Sequence, residues 1–92
     1  MKKREIDQLL NAHTQLVHSE GLQVMSHTQR EDGDWILHTL MIKHVDVPFK
    51  FKRQKKYQSL KGAKVNMTYY PASEVIAGFT IEYMKVVRIK RY

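Results

Sequence analysis

The sequence predicts a small α+β domain, in which an N-terminal amphipathic helix precedes five β-strands that form a strongly bent antiparallel sheet or a small barrel. Apolar residues first recur with a helical period of about 3.6 residues and then, after Gly21, with the strand period of about two residues. β-Branched and aromatic residues also become more frequent after Gly21. The chain has 92 residues, which is a suitable length for a single domain over residues 1–92.

The helix is predicted over about residues 3–19. Its apolar stripe would pack against the sheet while the polar residues between the stripe positions face solvent. Gly21 follows at the place where such a helix would end. The stripe consists of Ile6, Leu9, Leu10, Leu16 and Val17.

Five strands are predicted from the alternation of apolar and polar residues. Their approximate ranges are 22–30, 34–45, 48–53, 63–70 and 78–90. Asp32 and Gly33 form a dipeptide that is typical of a tight β-hairpin between the first two strands. Pro71 is predicted to end the fourth strand, because proline cannot donate a hydrogen bond to a neighbouring strand. In the fifth strand the apolar face is predicted to carry Phe79, Ile81, Tyr83, Val87 and Ile89. Lys85 falls on this face beside Val86, which predicts a bulge or a change of burial there.

The second half of the chain resembles part of a known barrel architecture. Residues 49–52 alternate as Phe-Lys-Phe-Lys, residues 60–65 read Leu-Lys-Gly-Ala-Lys-Val, and the last strand alternates again. This succession resembles the second half of an oligonucleotide/oligosaccharide-binding (OB) barrel. SH3-like barrels and plain meanders share the pattern, so the resemblance implies an OB/SH3-like barrel without identifying a family.

Positive charge is concentrated in the second half of the chain. Residues 47–92 carry eleven Lys or Arg and two acidic residues, whereas residues 1–46 carry five Lys or Arg and seven acidic residues. Clustered cations attract a polyanion, because they release counterions from its phosphates. We therefore expect a small basic binding module with an anionic partner, and the leading candidate is single-stranded nucleic acid, DNA or RNA, or a structured RNA.

The candidate contacts combine cations, which would follow the phosphates, with a tyrosine ring that would stack on a base. Most of them alternate with the apolar residues of their strands, so neighbouring strands would present them on one surface. Lysines that only protect strand edges would give the same pattern, and this alternative remains open. The candidates are Lys50, Lys52, Arg53, Lys55, Lys56, Lys64, Tyr70, Arg88 and Lys90.

The alternative function is a protein-interaction or self-associating domain, for example a homodimer. In this case an apolar patch would make the contact and the positive charge would only keep the molecule soluble. The patch would consist of Trp35, Met41, Val45 and Val86, together with His38 and His44 on the outer face of the sheet.

No catalytic, cofactor or metal motif is recognisable, so we expect neither an enzyme nor a bound cofactor or metal. Glu31, Asp32 and Asp34 cluster in a predicted hairpin turn, where carboxylates are normally solvated. The five histidines are accompanied by no cysteine and have no chelating spacing, and His13 is predicted to be packed on the helix stripe.

The apolar runs are too short for a membrane segment, which needs roughly 20 residues. Near the N-terminus, Glu5 and Asp7 interrupt the apolar stretch that a signal peptide would require. We therefore expect a cytoplasmic protein without membrane contact.

Overall fold

Alternating apolar residues build five strands, and these strands close into a barrel. The computed structural model describes residues 16–92. The strands are β1 (Val17–Asp32), β2 (Trp35–Ile42), β3 (Phe49–Arg53), β4 (Lys64–Ile76) and β5 (Phe79–Arg91). Around the barrel they follow the order β1, β2, β3, β5, β4, and β4 pairs back to β1.

The predicted α+β class is wrong for the described chain, which contains strands and no helix. Most of the predicted helix, about residues 3–19, lies outside the described residues. Its last part is strand, because β1 already begins at Val17 and is paired with β4 there. Gly21 does not end a helix either: it lies inside β1 with a φ of 70°, at a point where the register with β4 shifts. Glycine adopts this left-handed conformation without steric cost, which suits it to a bulge.

The sheet is mixed, which corrects the prediction of a purely antiparallel sheet. β1, β2 and β3 form a meander and β4 returns beside β1, so these four strands make a Greek key. β5 then runs antiparallel to β4 and parallel to β3, and thereby closes the barrel. At this closure Phe49 lies opposite Met84, and the Met84 N–H donates to the Pro48 carbonyl at 2.8 Å.

The barrel interior is filled by inward-facing residues of all five strands and by Leu60 from the connection between β3 and β4. Phe49 is 2% exposed, and its ring meets the Tyr69 ring edge-on with the centroids 4.8 Å apart. Burial of such apolar surface stabilises the fold by roughly 25 cal/mol per Å². The core residues are Val24, Leu40, Ile42, Phe49, Phe51, Leu60, Val65, Met67 and Val86.

Two hairpins determine where the candidate site lies. Gly33 and Asp34 join β1 to β2 in the tight hairpin that the sequence predicts, and Gly33 has a φ of 63°. β4 does not end at Pro71 as predicted but continues to Ile76. Within the described chain its pairing with β1 stops at Tyr69, so the missing N–H of Pro71 leaves no hydrogen bond unmade on that side.

Beyond the barrel, β4 and β5 pair only with each other among the described residues and form a two-stranded arm, residues 71–76 and 79–83. Ala77 and Gly78 connect its strands with φ values of 51° and 83°, as a type I′ turn requires. The arm has no core of its own. Phe79 is therefore 71% exposed, although the alternation of β5 predicts it on a buried face.

Candidate nucleic-acid interface

A groove of about 790 Å³ crosses the outside of the barrel between the end of the β1–β2 hairpin and the arm. Its floor is the outer face of β2 and β3, where Leu37 lies opposite Lys52. Arg30 extends this row on β1, opposite Leu37, and Lys85 of β5 lies opposite Lys50. Cross-strand neighbours share a face of the sheet. Three strands therefore bring their cations to one surface.

The groove carries five cationic side chains against two carboxylates. The Lys50 Nζ lies 3.1 Å from a carboxylate oxygen of Glu74, and it also sits 5.2 Å from the centre of the Tyr83 ring. The Lys52 Nζ lies 3.2 Å from a carboxylate oxygen of Asp32. The excess of cations leaves a positive potential for an anionic ligand.

Aromatic and apolar side chains form the two rims of the groove. Trp35 begins β2 on the hairpin side and is 44% exposed. On the arm, alternate residues of the paired strands share the face that carries Tyr83, and this face is turned toward the groove. Exposed rings beside cations can stack on unpaired bases. The apolar and aromatic residues of this arm face are Ile76, Phe79, Ile81 and Tyr83.

The nine residues predicted from the sequence do not form one surface. Lys50, Lys52 and Arg53 line the groove. Tyr70 is partly buried on β4 and lies opposite Lys85, which is a groove residue. Two further candidates are exposed in the irregular connection between β3 and β4, namely Lys55 and Lys56.

The remaining three candidates lie on a different part of the barrel, the outer face of β1, β4 and β5, which we call the basal patch. The register of β4 and β5 leaves Val87 unpaired, in the region where the sequence predicts a bulge. This bulge reverses the alternation of β5, so Lys85 before it and Arg88 after it both point outward. The basal patch consists of His18, Lys64, Asn66, Thr68, Arg88 and Lys90.

Two cations and two rim aromatic residues of the groove were not predicted as nucleic-acid contacts: Arg30, Trp35, Tyr83 and Lys85. The first two belong to the half of the chain in which acids outnumber bases, and the other two were assigned to the apolar face of β5. The one available signal was Gly78, because glycine adopts the positive φ of a tight turn without steric cost.

His38 lies inside the barrel and is 0% exposed, which corrects its predicted position on the outer face. The Leu60 N–H donates to His27 Nδ1 at 2.9 Å, which leaves the His27 Nε2–H to donate to His38. The His38 Nδ1 accepts this bond at 2.9 Å, and its Nε2–H donates to the Lys55 carbonyl at 3.2 Å. The Leu60 N–H can only donate to His27, and the Lys55 carbonyl can only accept from His38. Each ring therefore carries one proton and is neutral.

The pKa values of the two histidines follow from this arrangement. Burial lowers the pKa of His27, and the neighbouring His38 lowers it further by charge repulsion. Burial also lowers the pKa of His38; the hydrogen bond to the Lys55 carbonyl opposes this effect, and the Arg53 charge adds to it. Both rings therefore resist protonation in the folded protein.

The apolar patch predicted for self-association is not a continuous surface. Val86 is 4% exposed inside the barrel, and Val45 packs against the core. His38 is internal, whereas His44 lies in an exposed turn after β2 with a φ of 69°. Of the ten exposed large apolar residues in the described chain, four lie on the arm, one is Trp35 on the hairpin rim, and five lie elsewhere.

The chain matches no family model, no curated protein and no solved structure. Between residues 16 and 92 no three His, Asp or Glu side chains come together as metal ligands would. The same part of the chain has no helix of the length and apolarity needed to cross a membrane. His13 lies outside the described residues. The case for the groove therefore rests on its geometry and charge.

Proposed function

We propose that the protein binds single-stranded nucleic acid, DNA or RNA, in the groove. The observation that carries this proposal is a cationic floor flanked by the exposed Trp35 ring on one rim and the partly buried Tyr83 ring on the other. Lys50, Lys52 and Lys85 would contact phosphates, since they lie on the floor and point outward. Trp35 and Tyr83 would stack on bases from opposite sides.

A single strand suits this groove better than a duplex. The bases of a duplex stack on one another and turn phosphates outward, so rings on the groove rims would find no base face to contact. An unpaired base exposes both faces. Stacking on an aromatic side chain contributes about 1 to 3 kcal/mol per base, with little dependence on sequence.

The barrel architecture supports the proposal by analogy. OB barrels are five-stranded Greek-key barrels, and they bind oligonucleotides on the face of strands 2 and 3 between the loop that joins strands 1 and 2 and the loop that joins strands 4 and 5. The groove has the same position in this barrel, between the β1–β2 hairpin and the β4–β5 arm. A shared architecture does not determine function, so the argument depends on the groove residues themselves.

The proposal can be tested with the protein's own fluorescence, because Trp35 is the single tryptophan of the chain and lines the groove. Titration with an unstructured deoxythymidine oligonucleotide should quench this fluorescence. If groove cations contact phosphates, the logarithm of affinity should fall with the logarithm of salt concentration, and the slope should reach at most about −3.5 when all five cations take part. Absence of binding at low salt, for both DNA and RNA oligonucleotides, would exclude the function.

Self-association through the arm is the second candidate function, and the exposure of the arm favours it. Val75 is 72% exposed and Phe79 is 71% exposed, which is unusual for large apolar residues on a small domain. Light scattering across a dilution series should detect a dimer that dissociates. A Phe79→Asp variant that is monomeric where the parent is dimeric would favour this candidate. Its affinity for oligonucleotide should equal that of the parent, which would separate dimerisation from nucleic-acid binding.

A further inference from the structure

Two of the five groove cations already have carboxylate partners, one from each rim. The arm contributes Glu74, whose carboxylate holds the Lys50 ammonium at 3.1 Å. The β1–β2 hairpin contributes Asp32, whose carboxylate holds the Lys52 ammonium at 3.2 Å. Each acid therefore occupies the position beside a lysine that a phosphate oxygen would take.

Both ion pairs are open to exchange with a ligand. The side chains of Lys52 and Asp32 are 56% and 53% exposed, and those of Lys50 and Glu74 are 23% and 42% exposed. Exposed pairs are weak because water and salt screen the charges. A phosphate that reaches the groove floor can replace the carboxylate, which then turns into solvent.

We propose that Asp32 and Glu74 are intramolecular competitors of phosphate, which lower the affinity of the groove for nucleic acid and make its binding less sensitive to salt. This inference rests on the proposed function. The competition follows from chemistry, since carboxylate and phosphate oxygens accept the same charge-assisted hydrogen bonds from a lysine. The salt effect follows because each displaced carboxylate regains counterions, which offsets part of the counterion release from the nucleic acid.

The test removes the two competing charges without changing side-chain size. A double variant, Asp32→Asn with Glu74→Gln, should bind an oligonucleotide more tightly, by up to about fivefold for each pair. Its salt slope should be steeper by about 0.7 for each lysine set free. Fluorescence of Trp35 reports binding in both proteins, and thermal unfolding followed by circular dichroism verifies that the variant is folded.

The matched control carries the same change of net charge at residues that do not line the groove. Asp46→Asn with Glu82→Gln alters two exposed carboxylates that do not line the groove. This control should raise affinity much less than the groove variant and should leave the salt slope unchanged. Equal gains in the two variants would mean that only overall charge matters, and would overturn the proposal.

Other outcomes are equally decisive. Unchanged or weaker binding by the folded groove variant would overturn the proposal, because the acids would then position the lysines rather than compete for them. Binding by the groove variant alone, with none by the parent, would support it. No binding by any of the three proteins at low salt would exclude the proposed function itself, and the competition with it.

Discussion

Acid should destabilise the barrel through the hydrogen-bonded pair of buried His38 and partly buried His27. Each ring is held neutral in the folded protein by one bond that it accepts and one that it donates. Their folded pKa values lie below the ordinary value of 6.5, so below about pH 6.5 the unfolded chain binds more protons than the folded chain. The free energy of unfolding should therefore be highest above about pH 6.5 and should fall as the pH drops through the folded pKa values.

The size of the effect can be bounded from the structure. One histidine that is protonated only in the unfolded state changes the free energy of unfolding by at most about 1.4 kcal/mol per pH unit. The two histidines together therefore change it by at most about 2.7 kcal/mol per pH unit. A His38→Phe variant keeps the ring that stacks on Phe51 at 4.7 Å but leaves the His27 Nε2–H and the Lys55 carbonyl without partners. These two losses cost about 2 to 6 kcal/mol together.

Urea unfolding at pH 8, 7, 6 and 5 measures both quantities. The parent should lose stability below about pH 6.5, and His38→Phe should be less stable at pH 8 and less sensitive to pH. His44→Asn is the matched control, because it removes an exposed histidine at a φ of 69°, which asparagine tolerates. A parent with constant stability from pH 8 to 5, or a His38→Phe variant with the parental pH dependence, would refute the assignment of two neutral, hydrogen-bonded rings.

Three further predictions concern the core, the β1 bulge and the hairpin rim. Phe49→Ala should lower the free energy of unfolding by about 3 to 5 kcal/mol in urea, since it empties the centre of the core, and a loss below about 1 would contradict its central position. Gly21→Ala should lower the free energy of unfolding by about 1 kcal/mol or more in the same assay, because residue 21 has a left-handed φ of 70°; a stabilised variant would contradict that conformation. Trp35→Ala should weaken binding of a fluorescently labelled oligonucleotide by about 1 to 3 kcal/mol without loss of stability, whereas unchanged affinity would remove this ring from the interface.

The strands that cross the barrel were predictable because each buries one face. The alternation of residues 49–52 and the Asp-Gly dipeptide at 32–33 predict strand β3 and the first hairpin, and the structure has both. The class was wrong because the short apolar pair Leu16 and Val17 fits a helix as well as a strand, and periodicity alone does not separate the two over so few residues. The prediction that β4 ends at Pro71 was wrong for a related reason. Whether proline ends a strand depends on the neighbouring strand, which the sequence does not specify.

The candidate site was predictable only in part. Outward-facing lysines of β3 follow from alternation, so Lys50 and Lys52 were found. The groove itself requires the arm, and there the alternation of Phe79 and Ile81 predicts a buried face although both side chains are exposed. The position of His38 depends on which face of β2 is internal, and the hydrogen bonds that make its burial tolerable come from distant parts of the chain, at His27 and Lys55.

We expect nucleic acid to bind in the groove and not on the basal patch. Two charge reversals separate these sites, because Lys52 lies in the groove and Lys64 on the basal patch, and both are exposed on strands. Lys52→Glu should lower affinity for a single-stranded oligonucleotide at low salt by at least about tenfold, or about 1.4 kcal/mol, and should reduce the magnitude of the salt slope by about 0.7. Lys64→Glu should lower affinity by less than about threefold, because it acts on the bound oligonucleotide only through long-range electrostatics. Equal losses in the two variants, or a larger loss for Lys64→Glu, would contradict the groove as the binding site.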